Sequence, residues 1–282
     1  MRLRFLVGVF FVVLIGNVVL GARFLFSHPS TLTVAFLDVG QGDAIFIQSP
    51  TGTKLLIDGG KDRSVLRELG KRMGPFDRSI DMVMETHPDA DHIGGLAGVL
   101  ERYAVSAYLS PLVTADTSHT RALAAAVKDE QGITTHGVRR GDRIHLGGGA
   151  YLDILFPDRD VSLVETNTGS VVARLVYKDA SFLLTGDAPE SIEDYLVSLD
   201  GGALESEVLK AGHHGSQTST GDALLTAATP AAVVVSAGKD NTYGHPHAEV
   251  VSRIEAVGAR LLATMGGGAV VLVTDGKEIW RK

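Results

Sequence analysis

From residue 31 onward the chain alternates two kinds of apolar pattern. Short β-branched or apolar runs at 31–37, 44–48 and 54–58, separated by Gly-Gln-Gly and Pro-Thr-Gly, predict a meander of strands. Val65, Leu66, Leu69 and Met73 then fall at helical spacing, so 65–73 predicts a helix. A strand is expected at 80–85, a helix at 94–103, a short strand at 107–109, and a helix at 120–130 with its alanines and Val127 turned inward. The second half repeats the style. Strands are expected at 151–156, 170–177 and 180–185, followed by a helix at 189–198 with Pro189 in its first turn. Strands at 207–210 and 231–236 flank a helix at 221–228. A helix at 248–256 and strands at 260–264 and 270–274 complete the pattern.

Meanders interspersed with helices predict an α/β fold of two mixed sheets packed face to face with helices outside. No Pro- or Ser-rich linker interrupts it, so residues 29–282 are expected to form one domain. Ahead of it, residues 5–22 run apolar, broken only by glycines and Asn17, with Arg2 and Arg4 before and Arg23 after. That length suffices to cross a bilayer core. The flanking charges predict a cytoplasmic start and a domain on the far side of the membrane. Residues 1–28 are therefore expected to be a membrane anchor, or a signal peptide if Gly21 and Ala22 mark a cleavage site, which would leave the domain secreted.

Composition narrows the chemistry. With 45% apolar and 21% charged residues, the chain is that of a folded globular protein. The absence of cysteine removes disulfides, thiolate zinc sites and cysteine nucleophiles. Arg2, Arg4 and Arg23 are the only charges in residues 1–28, so the remaining 23 basic and 33 acidic residues leave a net charge of −10. A sequence-independent nucleic-acid clamp is normally basic. Any such role here must rest on a local patch or on metal ions.

Candidate chemistry gathers at strand ends. Thr86-His87-Pro88-Asp89-Ala90-Asp91-His92-Ile93-Gly94-Gly95 follows the strand expected at 80–85 and packs four metal-ligand side chains into six residues. Gly94-Gly95 is expected to let the backbone turn tightly into the next helix. Thr185-Gly186-Asp187 ends a second apolar strand in a carboxylate, where a ligand bridging two cations would stand. Gly212-His213-His214-Gly215-Ser216 follows a third, and Asn241-Thr242-Tyr243-Gly244-His245-Pro246 forms a fourth group.

In this combination and order the motifs resemble the metallo-β-lactamase fold, an αββα sandwich, and more narrowly the hydrolase domain of the ComEC competence proteins, which accompany DNA uptake in bacteria. Phe36-Leu37-Asp38-Val39-Gly40-Gln41-Gly42-Asp43-Ala44, Leu56-Ile57-Asp58-Gly59-Gly60 and the Asn241–Pro246 turn resemble further phrases of that family. ComEC proteins are polytopic, and the expectation here is a free-standing version on one anchor. The resemblance implies two divalent metal ions, zinc or manganese. His87 and Asp89 would hold one; Asp91, His92 and one of His213 or His214 would hold the other, with Asp187 between them. The third histidine usual at the first site has no clear counterpart. Asn167 lies where the family tends to place asparagine, while His119, His136 and His145 lack strand-end motifs.

Three carboxylates at Asp89, Asp91 and Asp187 with few imidazoles make manganese credible beside zinc. Asp91 is expected to serve catalysis as well as binding. His245 and the member of the His213–His214 pair not spent on metal, with His213 favoured for this role, would protonate the leaving oxygen. Asn167, Ser216 and Ser219 are candidate hydrogen-bond donors to a substrate phosphate, although the serines equally fit a capped turn before the helix at 221. The expected function is a metal-dependent phosphodiesterase, a nuclease acting on DNA in contact with competence machinery. Alternatives are a phosphocholine-ester or lactone hydrolase on the same fold, and a metal-degenerate binding module.

Overall fold

The computed structural model describes residue 16 and residues 31–282. The expected anchor or signal segment therefore lies outside the described residues except for Gly16, and among the described residues no helix is long and apolar enough to cross a membrane. The first half contributes β1 (Leu32–Phe36), β2 (Ile45–Gln48), β3 (Lys54–Ile57), α1 (Ser64–Gly70), β4 (Ser79–Met84), α2 (Ala90–Ile93), α3 (Leu96–Arg102), β5 (Ala104–Ser110), α4 (Ser118–Asp129) and β6 (Thr134–Gly137). The second contributes β7 (Arg143–Gly147), β8 (Ala150–Phe156), β9 (Val172–Tyr177), β10 (Ala180–Leu184), α5 (Glu190–Asp200), β11 (Val208–Lys210), α6 (Asp222–Ala228), β12 (Ala232–Val235), α7 (Ala248–Ala256), β13 (Arg260–Ala263), β14 (Val270–Thr274) and β15 (Ile279–Arg281).

The strands form two sheets, one ordered β15-β14-β1-β2-β3-β4-β5-β6 and the other β13-β12-β11-β10-β9-β8-β7. Phe36, Ile47, Leu55 and Ile57 of one sheet meet Leu152, Leu175, Phe182 and Leu184 of the other in a dry central layer. The outer face of the first sheet packs on Val65, Leu69, Leu96, Val99 and Leu123 of α1, α3 and α4. The outer face of the second packs on Leu196, Leu224, Leu225, Val250 and Ile254 of α5 to α7. This is the predicted four-layer αββα sandwich. Each fully buried aliphatic side chain contributes roughly 1.5–3 kcal/mol, so three separate apolar layers hold the sheet edges firmly enough to place side chains for chemistry.

Three strands were not expected from the pattern. All four residues of β6 are exposed, β7 is exposed at three of five positions with only Leu146 buried, and β15 ends in exposed residues. These edge strands lack the apolar run that announces a buried one. The helix expected at 94–103 is α3, at 96–102; the short helix α2 precedes it, and Gly94 and Gly95 between the two have helical dihedrals. Their role is close approach instead of a turn: a Cβ on Gly94 would stand 2.0 Å from the Lys61 carbonyl oxygen, and one on Gly95 2.2 Å from that of Gly59. On α4 only Leu123 is buried, with Ala126 and Val127 packed partly against the core.

The runs β3 to β6 and β10 to β13 are parallel, so their carboxyl ends share an edge in each sheet. Loops leaving such ends are free of the ladder and carry function in open α/β sheets.

Candidate metal centre

Each of the four sequence groups is delivered to that edge by a strand whose carboxyl end is buried. β4 leads to Thr86–His92, β10 to Asp187, β11 to His213 and His214, and the loop after β12 to His245. His213 and His214 both take left-handed dihedrals, φ 46° and 56°. Such conformations cost non-glycine residues on the order of 1–3 kcal/mol each and concentrate at functional sites. The consequence is that adjacent rings point differently, with centroids 6.0 Å apart and planes at 72°.

The hydrogen bonds behind the histidines determine what they present in front. The Thr86 hydroxyl donates to Asp58 Oδ2 at 2.7 Å, so its oxygen accepts from Nδ1 of His87 at 3.1 Å. His92 donates from Nδ1 to Asp58 Oδ2 at 2.8 Å, and His214 donates from Nδ1 to the Ser236 carbonyl at 3.0 Å. A neutral imidazole that donates from one nitrogen carries a lone pair on the other. The Nε2 atoms of His87, His92 and His214 are all buried and all without a hydrogen-bond partner.

Those bare nitrogens converge on carboxylates. Asp187 Oδ2 lies 3.2 Å from His92 Nε2 and 3.3 Å from His214 Nε2, and Asp91 Oδ2 lies 3.3 Å from the same His214 atom. Ligands about 2.1 Å from one tetrahedral ion stand about 3.4 Å apart, so the spacing fits a divalent cation among Asp91, His92, Asp187 and His214. His87 Nε2 is 3.7 Å from Asp89 Oδ2, and the His87 and His92 rings are 4.1 Å apart. His87 and Asp89 thus form a second, more open donor pair beside the first. Orphaned buried nitrogens with this spacing fit metal better than a self-sufficient hydrogen-bond network.

The electrostatics agree. Burial opposes charge on His92, but the Asp187 and Asp58 carboxylates hold its pKa well above the ordinary value. Burial also opposes charge on His214, which Asp187 and Asp43 raise to about 9. Burial pushes the Asp187 carboxyl up, yet His214, His92 and Lys210 bring it well below its usual range. Burial works the same way on Asp91, and the neighbouring imidazoles of His214 and His92 bring it to about 2. Protons on the two imidazoles therefore occupy the electrostatic place of a cation.

The remaining predicted residues divide. His213 is partly exposed, its Nε2 3.9 Å from Asp187 Oδ2, and with His245, Tyr243, Gln41 and Asp89 it lines a cavity of about 150 Å³ over the cluster. Burial, then the charges of His214, His213 and His247, push His245 down to about 4. Asn167 opens a single 3-10 turn whose preceding residue, Thr166, hydrogen-bonds Asp89; the Asn167 Oδ1 is buried and unpartnered. Ser219 corrects an expectation: it is fully buried and donates to the Ala188 carbonyl at 2.9 Å, tying the segment before α6 to the loop before α5. Ser216 is likewise buried, its hydroxyl 3.0 Å from that of Thr218. His119, His136 and His145 sit on α4, β6 and β7, outside the cluster.

Three residues of the centre were not singled out as site residues. Asp58 orients His92; Asp43 stands 3.5 Å from Nδ1 of His214; Lys210 is buried against Asp43. Asp43, His92, Asp187 and His214 together form a buried group able to surround an ion, although Asp43 approaches His214 from the Nδ1 side, away from the bare nitrogens. A signal was present for two of them, since Asp43 follows Gly40-Gln41-Gly42 and Asp58 precedes Gly59-Gly60 at a strand end.

A four-layer sandwich with a histidine–aspartate metal centre at its strand ends defines a class, and residues 37–239 match the description of the metallo-beta-lactamase superfamily. The chain belongs to that superfamily, whose fold supports metal-dependent hydrolysis. Within it the chain resembles competence proteins. It is 29% identical over 267 residues to ComE operon protein 3 of Bacillus subtilis, covering 87% of this chain and 34% of that protein. It is 42% identical over 107 residues to Competence protein ComA of Neisseria gonorrhoeae, covering 38% and 16%. Recombination protein 2 of Haemophilus influenzae matches at 28% over 244 residues, covering 85% and 28%. The chain thus spans about a third or less of the curated relatives it matches. Among solved structures, Zn(2+)-bound PqqB from Methylobacterium extorquens shares the fold at a TM-score of 0.53 and 11% identity, over 85% of this chain and 99% of that one.

Proposed function

We propose that this chain is a metal-dependent phosphodiesterase acting on nucleic acid in DNA uptake, with two divalent ions, zinc or manganese, at the strand-end cluster. The observation that carries the reading is the set of three buried histidines whose Nδ1 atoms are committed and whose bare Nε2 atoms face Asp187, Asp91 and Asp89. His87 and Asp89 would hold one ion and Asp91, His92 and His214 the other, with Asp187 available to both. Asp43, Asp58, Asp89, Asp91 and Asp187 against Lys210 leave four negative charges, the complement of two divalent cations. When bound, such ions supply Lewis acidity to an in-line displacement at phosphorus.

The chain's own residues do the rest. Asp58 and the Ser236 carbonyl fix the ring orientations of His92 and His214. His213 and His245 face the cavity, where they would serve proton transfer to the leaving oxygen. Burial holds both imidazoles below their ordinary pKa, His245 at about 4, so at pH 7 they would rest neutral and relay a proton. The names of the curated relatives support nucleic acid as the substrate class, and metal ions would let an acidic protein hold a phosphodiester. The apolar run at 5–22 would tether the domain outside the cytoplasm.

The test is an assay of the purified chain with manganese or zinc on single-stranded DNA, duplex DNA, bis-p-nitrophenyl phosphate, a phosphocholine ester and a lactone. Hydrolysis of the phosphodiesters supports the reading. Turnover confined to the last two substrates moves the chain to another hydrolase class.

A further inference from the structure

Lys210 is the last residue of β11, and its side chain is wholly buried. A buried ammonium is costly unless every proton finds an oxygen. Here Nζ stands 2.5 Å from Asp43 Oδ2 and donates to the Gly186 carbonyl oxygen at 3.0 Å, while Asp187 Oδ1, itself buried without a hydrogen-bond partner, faces the ammonium as an ion pair at 3.5 Å. The opposite oxygen of Asp187, Oδ2, is the one facing His92 and His214 at 3.2 and 3.3 Å. The two oxygens of one carboxylate therefore have separate neighbours. Asp43 is divided in the same way, Oδ2 toward Lys210 and Oδ1 toward Nδ1 of His214. One ammonium thus touches the carboxylate between the two donor sets and, through Asp43, the back of a ligand ring.

We propose that Lys210 is a positioning residue that restricts Asp187 to one oxygen toward metal and thereby makes the centre discriminate against calcium. Calcium takes six to eight oxygens and readily uses a carboxylate through both, at distances longer than those of smaller divalent ions. A site of imidazoles with Asp187 held to a single oxygen suits manganese or zinc. Freeing Oδ1 offers calcium the second oxygen that it uses well. The inference rests on the metal-centre reading above but not on the phosphodiesterase assignment.

The experiment compares the full chain with Lys210→Met and with Asp43→Asn/Lys210→Met, measuring dissociation constants for Mn²⁺ and Ca²⁺ by calorimetry on metal-stripped protein. The double variant keeps the fold testable, because it removes the lysine without stranding the charge of Asp43; melting in EDTA reports on folding. Loss of one positive charge moves both dications' affinities together, so the ratio of the two constants isolates geometry. The expected result is a Ca²⁺-to-Mn²⁺ ratio that falls by about tenfold or more in a folded variant, the scale on which outer partners tune a metal site. A folded double variant with lower melting temperature but the wild-type ratio would make Lys210 merely structural and overturn the proposal. Wild-type protein that binds neither ion would overturn the metal-centre reading itself.

Discussion

Asp58 Oδ2 lies 2.8 Å from Nδ1 of His92, and the same carboxylate accepts both the backbone N–H and the hydroxyl of Thr86. One buried residue at the end of β3 therefore orients two histidines: His92 directly, and His87 through Thr86. Asp58→Asn keeps the shape but replaces one acceptor oxygen with a donor. Metal affinity is expected to fall about 10–100-fold, as with other partners behind a ligand histidine. Competition with a chelating dye measures it, and an unchanged affinity would show that His92 is held by packing alone.

The paired histidines should separate. His214→Ala removes a bare nitrogen 3.3 Å from both Asp91 and Asp187, so metal occupancy should drop. His213 stands at the cavity wall, and His213→Ala should retain metal while turnover falls about 10²–10⁴-fold, the range for a lost proton donor. Elemental analysis beside a rate assay decides between them. Equal metal loss in both variants would refute the division.

Loading the centre should release protons. Without metal, His92 sits well above its ordinary pKa and His214 at about 9, so both are protonated at neutral pH, whereas ligation needs both neutral. Affinity should therefore rise with pH toward about 9. Calorimetry at pH 7.5 in buffers of different ionisation enthalpy should give a heat that depends on the buffer. A buffer-independent heat would mean that the imidazoles are already neutral.

How much of this was visible in the sequence varies from residue to residue. β10 and β12 were legible because both are buried almost throughout and mostly apolar, with Ser181 the one polar residue between them. β6 was not, because an exposed edge strand reads like a loop. His87, Asp91, His92 and Asp187 stood out because ligand types were dense at strand ends. Lys210 did not, since a lysine ending a strand ordinarily points to solvent, and only the fold shows that it points inward to Asp43. Ser219 misled for the converse reason: a hydroxyl near a ligand motif is spent on the Ala188 carbonyl.

Away from the centre, Glu193 on α5 gives the fold a pH-dependent element. Its carboxyl accepts the backbone N–H groups of Thr220 and Gly221, each at 2.8 Å, but burial outweighs these bonds and pushes its pKa from 4.5 up to about 7. The folded chain thus binds this proton more tightly than the unfolded one. Its contribution to stability is fully present below the ordinary carboxyl range and is lost as pH rises through about 7. Denaturant midpoints in EDTA should fall between pH 5 and 7.5, and Glu193→Gln should flatten that slope. An equal slope in the variant would assign the effect to other groups.

In the proposed centre the strand-end cluster would hold two divalent ions with Asp187 between them. The most direct measurement is metal stoichiometry after equilibrium dialysis against Mn²⁺, made on the full chain and on Asp187→Ala by elemental analysis, with circular dichroism to verify folding. About two ions per wild-type chain are expected, the paired arrangement that serves phosphoryl displacement, with a loss at both sites in the folded variant. Wild-type protein holding no ion, or a variant that keeps the full complement, would contradict the proposed centre.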